Sequence, residues 1–178
     1  KFVLCSGRSN MSLDVLNEQL GLVRENNYTV AFNGSTIYEN VSKKKLINHL
    51  LKGEYGGEVL VILRQYPVNV LAYENEKLWC DKPTERIKRY ARNSFIPYYV
   101  TEDLRELVSH DFSKIIAISD NEKLSQIQQA CNSCGITEKV GVFFSGEDIL
   151  EFNPYNIDKG TGVKDLLEKI NIDPREAI

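Results

Sequence analysis

The pattern of apolar residues changes twice along the chain, and this change limits the possible folds more than any other feature. Residues 2–5 predict a buried strand, residues 12–20 an amphipathic helix that ends at Gly21, and residues 28–32 a second strand. A strand, a helix and a strand in succession are typical of a parallel sheet. The amino-terminal end therefore predicts an α/β fold.

The middle of the chain has a different pattern, in which hairpins alternate with helices. Residues 68–73 and 77–79 predict two strands joined by a tight turn. The other predicted elements are helices over residues 43–52, 84–93 and 121–134, a short helix capped by Thr101, and strands over residues 58–64, 114–119, 140–144 and 148–152. Hairpins mixed with helices favour an antiparallel sheet with helices on one face, an α+β module.

The α/β pattern returns at the end of the chain, where a helix is predicted from Lys159 to about Ile170. We therefore assign residues 1–36 and 155–178 to one domain and residues 37–154 to a second domain inserted into it. The chain begins inside a strand without an initiator methionine, and it ends where a new apolar segment starts. We expect that it is a fragment of a longer protein.

Composition and charge argue against two classes of partner. Apolar residues make up 42% of the 178 residues and charged residues 26%, which is ordinary for a globular protein. The net charge is −3, whereas a nucleic-acid-binding surface is basic, so we expect no nucleic-acid partner. No apolar run approaches the roughly 20 residues that cross a bilayer, so we expect no membrane partner either.

The cysteine pattern favours a reducing compartment and hence the cytoplasm. Cys131 and Cys134 have the CxxC spacing of zinc and redox sites. A structural zinc site needs two further ligands close by, and His49 and His110 lie alone and far apart in the sequence. The two thiols also close a predicted helix, whereas a redox motif would open one. We interpret them as incidental and expect no metal site there.

A polar segment, Ser6-Gly7-Arg8, follows the first predicted strand and precedes the first predicted helix. In open α/β sheets, ligands bind at this edge, beyond the carboxyl ends of the strands. Ser6 offers a hydroxyl group, Gly7 lets its backbone N–H come close to a ligand, and Arg8 brings a planar cation suited to phosphate. The segment predicts an anion-binding loop, although an ordinary polar turn uses the same residue types.

Two further segments carry polar groups to the same predicted edge. Asn33-Gly34 follows the second strand, where it fits either a hairpin turn or an amide donor to the same ligand. Lys159 opens the last helix in the run DKGTG, which is neither a P-loop nor a GxGxxG motif. The helix macrodipole disfavours a cation there, so the lysine indicates a nearby anion, the alternative being a solvated surface lysine.

Taken in order, these segments resemble the Cof-like branch of the haloacid dehalogenase-like (HAD) phosphatases. Residues 2–8 resemble the second motif of that family, a strand that ends in Ser or Thr and is followed by Gly-Arg. Residues 28–38 resemble its next strand with the Asn-Gly turn, residues 158–163 its third motif, and residues 173–178 the lead-in to its fourth motif. Residues 43–154 have the length and mixed pattern of the α/β cap that this branch inserts.

The resemblance implies a fold and a chemistry. The fold would be a HAD-like Rossmannoid parallel-sheet core, incomplete in this chain, with an inserted α+β cap domain. The activity would be hydrolysis of small phosphorylated metabolites such as sugar phosphates, with Mg²⁺ and an aspartyl-phosphate intermediate. The implied catalytic residues are Ser6 and Lys159, and the implied phosphate- and substrate-binding residues are Gly7, Arg8, Asn33 and Gly34.

Two motifs of the family are missing from the sequence. The first is the DxDGT run that supplies the aspartate nucleophile, and the second is the acidic pair that holds magnesium. We expect the former to precede Lys1 and the latter to follow Ile178. The metal ligands would then lie outside this chain, and the chain alone would be inactive.

Other functions remain open on the sequence alone. A non-catalytic protein that binds a phosphorylated ligand or has a regulatory role would keep the fold and lack the nucleophile. A sugar-binding module is less favoured, because the hydroxyl group and the two cations at the sheet edge suit an anion. The aromatic residues that could stack on a sugar or base, unless they are core residues, are Tyr66, Trp79 and Tyr98. The sequence defines no oligomeric state.

Overall fold

The structure, a computed structural model, describes residues 1–177 and contains two compact units. The first unit consists of Lys1–His49 and the segment from Asn156 onward, and the second consists of Leu50–Tyr155. The inserted unit therefore begins later than residue 37, where the sequence placed its start. The reason is that the chain after residue 36 forms two strands that pair with the first unit's sheet.

Strands and helices follow one another along both units. The strands are β1 (Val3–Cys5), β2 (Tyr28–Ala31), β3 (Thr36–Glu39), β4 (Lys45–Asn48), β5 (Asn69–Glu74), β6 (Lys77–Cys80), β7 (Tyr98–Val100), β8 (Phe112–Ile118), β9 (Val140–Gly146) and β10 (Ile149–Pro154). The α-helices are α1 (Asn10–Gln19), α2 (Gly53–Leu63), α3 (Glu85–Asn93), α4 (Asn121–Ser133) and α5 (Lys159–Lys169). Within residues 1–177 no helix has the length and apolar character needed to cross a bilayer.

The first unit is a four-stranded sheet in the order β1-β2-β3-β4, with a helix on each face. β1 and β2 are parallel, whereas the other two pairings are antiparallel. On one face, Val30 and Ile37 pack against Leu166 of α5. On the other, Asn17 of α1 donates a hydrogen bond to Oγ1 of Thr29 at 2.8 Å. Helices on both faces of such a sheet make the α/β fold that the sequence predicted.

The second unit is a six-stranded sheet in the order β7-β6-β5-β8-β10-β9, in which only β6 and β7 are parallel. α2 and α4 cover one face and share its apolar core with Ala72, Ile115 and Ala117. Tyr73 projects to the opposite face, where its hydroxyl lies 3.3 Å from that of Tyr90 in α3. The antiparallel sheet is as predicted, but the helices are not confined to one face.

Two elements near the start of the insertion differ from the sequence prediction. The predicted helix over residues 43–52 is wrong, because Lys45–Asn48 is strand β4. The predicted strand over residues 58–64 is also wrong, because Gly53–Leu63 is helix α2. The start of the short helix is shifted as well, since Asp103 rather than Thr101 caps it.

Close packing explains why the glycine-rich segment before the run VLVIL is helical. Val59, Leu60 and Leu63 are buried and lie on one side of α2. Gly56 lies on the same side, and a Cβ atom there would be 2.5 Å from the ring of Phe112. The glycine therefore lets the helix approach the sheet closely, although its low helix propensity argues against a helix in the sequence.

Candidate functional site

The carboxyl ends of β1 and β2 lie side by side, since the two strands are parallel. Ser6 follows β1, and its N–H donates a hydrogen bond to the Val30 carbonyl at 2.9 Å. The Ser6 carbonyl accepts a hydrogen bond from the Asn33 N–H at 3.1 Å, and its hydroxyl oxygen accepts one from the Arg8 N–H at 3.3 Å. The loop after β1 is thus tied to the turn after β2.

Gly7 is in close contact with the side chain of Asn33. A Cβ atom on Gly7 would lie 2.5 Å from Oδ1 of Asn33, closer than unbonded carbon and oxygen atoms approach. Asn33 has left-handed backbone angles (φ 57°, ψ 30°), which asparagine adopts more readily than most residues. Its amide is therefore directed at the Ser6 loop, as expected for a group that contributes to the same site.

Gly34 brings the third predicted segment to this edge. Its φ of 106° is unfavourable for any residue with a side chain, and a Cβ atom there would overlap the carbonyl oxygen of Asp158. Gly162 faces it, so the turn after β2 packs directly against the first turn of α5. The hairpin prediction for Asn33-Gly34 is confirmed, because antiparallel β2 and β3 flank the turn.

A reciprocal capping box fixes the first turn of α5. Oδ1 of Asp158 accepts a hydrogen bond from the Thr161 N–H at 2.7 Å, and Oγ1 of Thr161 accepts one from the Asp158 N–H at 2.8 Å. The bond from the Thr161 N–H holds the pKa of the Asp158 carboxyl below its ordinary value. The helix therefore begins with a fixed backbone at Lys159, the residue at which the sequence predicted its start.

The ammonium group of Lys159 is the cation of this edge. The residue is exposed, and it makes no hydrogen bond or ion pair with the described part of the chain. Burial raises the pKa of the Cys5 thiol, and the positive charge of Lys159 partly opposes that rise. Because Cys5 immediately precedes Ser6, the lysine charge acts at the same end of the sheet. An anion at this edge would interact with both the ammonium group and the helix amino terminus.

Most of the predicted site residues are thus in one network. Direct contacts join three of them, Ser6, Gly7 and Asn33, and Gly34 follows Asn33 in the chain. Lys159 follows Asp158, against which the turn packs. Arg8 is exposed. We expect the polar tips of Ser6, Asn33 and Lys159 to lie within about 10 Å of one point, the reach of one phosphate with ~3 Å hydrogen bonds.

The residues of this edge do not fit a magnesium site. Mg²⁺ takes carboxylate and other hard oxygen ligands, whereas the edge offers a hydroxyl, an amide and cations. Across residues 1–177, no three side chains of His, Cys, Asp or Glu form a group that could hold a metal ion. The four cysteines are free thiols, and burial raises the pKa of Cys131 to about 12. Burial therefore favours the neutral thiol over the thiolate, the form that binds metals and acts as a nucleophile.

The aromatic candidates have structural contacts in the second unit. Tyr66 and Trp79 pack against its apolar core. Nε1 of Trp79 donates a hydrogen bond to Oε2 of Glu74 at 3.2 Å. Tyr98 is half-buried in β7. These contacts favour their interpretation as core residues.

Sequence reasoning missed the residues that support the site. Thr161 completes the capping box. Its position three residues after Asp158 is the sequence signal that could have predicted this, because the two members of a capping box have that spacing. Gly162 permits the contact with Gly34, and nothing in the sequence distinguishes it from a flexible glycine. Ser9 caps α1, which begins two residues before the predicted start at residue 12.

Comparisons with known proteins agree with the resemblance in the sequence. The family model of the haloacid dehalogenase-like hydrolases matches residues 1–178. No curated protein sequence matches significantly.

Solved structures share the fold. A protein of Thermotoga maritima is 28% identical, with a TM-score of 0.82 over 95% of this chain and 62% of that one. A haloacid dehalogenase-like hydrolase from Bacteroides thetaiotaomicron is 23% identical, with a TM-score of 0.86 over 96% and 64%. A sugar phosphatase of HAD subclass IIB is 12% identical, with a TM-score of 0.76 over 99% and 65%. The chain spans less than two thirds of the length of each protein.

Proposed function

Because the chain belongs to the haloacid dehalogenase-like hydrolases, we propose that it is part of a magnesium-dependent phosphatase of small phosphorylated metabolites, such as sugar phosphates. The observation that carries the proposal concerns Lys159, the first residue of α5. Its ammonium group has no hydrogen-bond or ion-pair partner in residues 1–177, and the first turn of α5 packs against the turn that is tied to the Ser6 loop. A phosphate group suits such a site, because its oxygens accept bonds from hydroxyl, amide, backbone N–H and ammonium donors at once.

We assign each predicted residue a role that its position supports. The Ser6 hydroxyl donates to one phosphate oxygen, and Lys159 neutralises charge as it develops on the phosphoryl group. Gly7 exposes its backbone N–H to the ligand, and the Asn33 amide donates from the side. Gly34 acts indirectly, because it lets the turn after β2 pack against the first turn of α5, where Lys159 lies. Arg8 contributes a positive charge that attracts the anion to the loop.

The covalent chemistry is proposed to lie outside these 178 residues. The carboxylate of an aspartate in a DxDGT run would attack phosphorus, release the alcohol and form an aspartyl-phosphate, which water then hydrolyses. Mg²⁺ would supply further charge neutralisation, and its acidic ligands are also proposed to lie outside the chain. The residues of this chain bind and orient the phosphate.

The second unit is proposed to be the cap of the enzyme, the part that selects the leaving group and excludes water. We propose a cytoplasmic protein, since all four cysteines are free thiols. Its ligand is a small phosphorylated metabolite rather than a nucleic acid or a membrane.

Substitution of the two catalytic candidates tests this function. In the full-length protein, Ser6→Ala and Lys159→Gln are each expected to lower kcat/KM by about 10²–10³-fold, the usual cost of removing one donor from a developing negative charge. The measurement is phosphate release from a panel of sugar phosphates with Mg²⁺. Lys164→Gln, which removes an exposed charge from the same helix, is the matched control and is expected to be active. Activity of Lys159→Gln like that of the natural protein would overturn the site. No phosphate release by the natural protein would favour a non-catalytic binding protein.

A further inference from the structure

Strand β9, Val140–Gly146, forms one edge of the six-stranded sheet in the second unit. It pairs with β10 on one side. Within residues 1–177, no backbone hydrogen bond reaches β9 from the other side. Alternate residues of an antiparallel strand direct their N–H and C=O groups to opposite neighbours, so about half of these groups in β9 lack a backbone partner. An edge of this kind can pair with a further strand.

β9 lacks the charges and prolines that commonly protect an edge strand from such pairing. Its sequence is VGVFFSG, with no charged residue. Ser145 has no pairing position in β10, and this bulge ends the regular part of the strand, Val140–Phe144. The opposite edge of the sheet is β7, which has only 3 residues, Tyr98–Val100. The regular part of β9 is therefore the longer site for an added strand.

Side chains of β9 alternate between the two faces of the sheet. Val140, Val142 and Phe144 lie on the face covered by α2 and α4, where they pack with the apolar core. Gly141 and Phe143 lie on the other face. A Cβ atom on Gly141 would meet no atom closer than 3.4 Å, so the sheet has room there for a side chain that the sequence does not supply. A glycine inside a strand weakens it and often marks a place where other groups approach closely.

We propose that the regular part of β9 is a self-association surface, where it pairs antiparallel with the same segment of a second copy of this chain. A two-fold axis through Val142 sets that residue opposite its own copy and joins the two sheets into one. The ring of Phe143 then lies across from Gly141 of the second copy, where there is no side chain to displace it. Val140 lies across from Phe144, so that the apolar core continues from one copy to the other.

The charges at the two ends of β9 favour this antiparallel arrangement. Lys139 precedes the strand, and Glu147 and Asp148 follow it. Antiparallel pairing keeps the two acidic turns at opposite ends of the interface and brings each towards Lys139 of the other copy, whereas parallel pairing would set the acidic turns side by side. Lys139 also lies 3.6 Å from Glu58 in α2, but both side chains are about half exposed and such surface pairs are weak.

The size of the surface indicates a weak and reversible dimer. Five paired residues extend about 17 Å at about 3.4 Å per residue, so the interface belongs to the lower range of specific interfaces, below about 1,200 Å². We expect a dissociation constant of about 1–100 μM. Pairing about a two-fold axis occupies the β9 edge of both copies, so association through this edge stops at a dimer.

Sedimentation velocity of the full-length protein between about 1 and 200 μM tests the inference without any need for enzymatic activity. The dimer fraction is expected to rise with concentration. Val142→Lys sets two ammonium groups opposite each other at the axis, and it is expected to raise the dissociation constant at least tenfold (~10-fold or more) because like charges in contact repel. Val100→Lys adds the same charge to the exposed edge strand β7 and is the matched control, with an expected dissociation constant like that of the natural protein.

A disulfide test decides the inference even if Val142→Lys does not fold. It uses the full-length protein with the exposed Cys134 replaced by serine, so that this thiol cannot form crosslinks. Val142→Cys in this background is expected to form a disulfide-linked dimer on mild oxidation, because directly opposite Cα atoms lie about 4.5–5.5 Å apart, within the range of a disulfide. Ser145→Cys is the control and is expected to form none, since its two copies would lie far from the axis on opposite sides.

The crosslink at Val142→Cys, together with a concentration-dependent dimer of the natural protein, would support the inference. A natural protein that stays monomeric over the whole concentration range would overturn it. A dimer that a folded Val142→Lys retains, or equal crosslinking of Val142→Cys and Ser145→Cys, or no crosslink at Val142→Cys, would also overturn it, because the copies would then meet through another surface.

Discussion

Replacing Gly34 by alanine is expected to lower the free energy of unfolding by about 3 kcal/mol or more. The φ of 106° strains any residue with a side chain, at a cost of about 1–3 kcal/mol. The added methyl group would also overlap the carbonyl oxygen of Asp158, so that α5 must move away from the sheet. Overpacking of this kind costs about 1–3 kcal/mol. Urea denaturation followed by circular dichroism measures the loss.

Gly135→Ala is the control that separates strain from packing. Gly135 has a φ of 78°, but no atom lies within 4 Å of the position of its Cβ atom. Its substitution is expected to cost about 1 kcal/mol, from the backbone conformation alone. If Gly34→Ala cost no more than Gly135→Ala, the close contact between the turn after β2 and α5 would be contradicted.

Replacing Lys114 by methionine is expected to lower the free energy of unfolding by about 3–5 kcal/mol. The substitution leaves the Glu151 carboxylate buried without the ammonium group that lies 2.9 Å away. An isolated buried charge either destabilises the fold through its desolvation or is removed by protonation. Urea denaturation of the variant and of the natural protein at pH 7 measures the loss.

Two controls accompany this prediction. The double variant Lys114→Met with Glu151→Leu removes both charges, and it is expected to recover most of the lost stability. Lys123→Met breaks an exposed ion pair with Asp120, and its effect is expected to stay below about 1 kcal/mol. A double variant no more stable than Lys114→Met alone would contradict the role of the unpaired charge.

Local patterns predicted most of the fold, and packing decided the elements that they did not. Short apolar segments identified the hairpin of β5 and β6 and the strands β8 to β10. The segment Gly53–Leu63 escaped, because three glycines and a β-branched run argue against a helix. Gly56 serves the contact with Phe112, which lies far away in the sequence. Propensity contains no information about such a partner.

The candidate site was predictable where it depends on chain direction. Parallel β1 and β2 end at one edge, so the sequence could predict that Ser6 and Asn33 lie together. The contact of Gly34 with α5 was hidden, because Asn-Gly already has a sufficient explanation as a hairpin turn. Nothing in the sequence indicates that the amide of Asn153 is buried without a hydrogen-bond partner in residues 1–177. A polar residue in an alternating strand is usually assigned to solvent, and only the packed structure buries it.

Phosphate release by this chain, compared with a version extended at both ends, tests most directly whether the 178 residues hold the phosphate-binding part of the site without its nucleophile. The assay uses a broad panel of sugar phosphates with Mg²⁺. The extended protein is predicted to release phosphate, and the 178-residue chain is predicted to release none. Release by neither form would favour a non-catalytic binding protein. Any release by the 178-residue chain would contradict the assignment of the nucleophile to a segment outside it. The nucleophile would then lie among residues to which we give no such role.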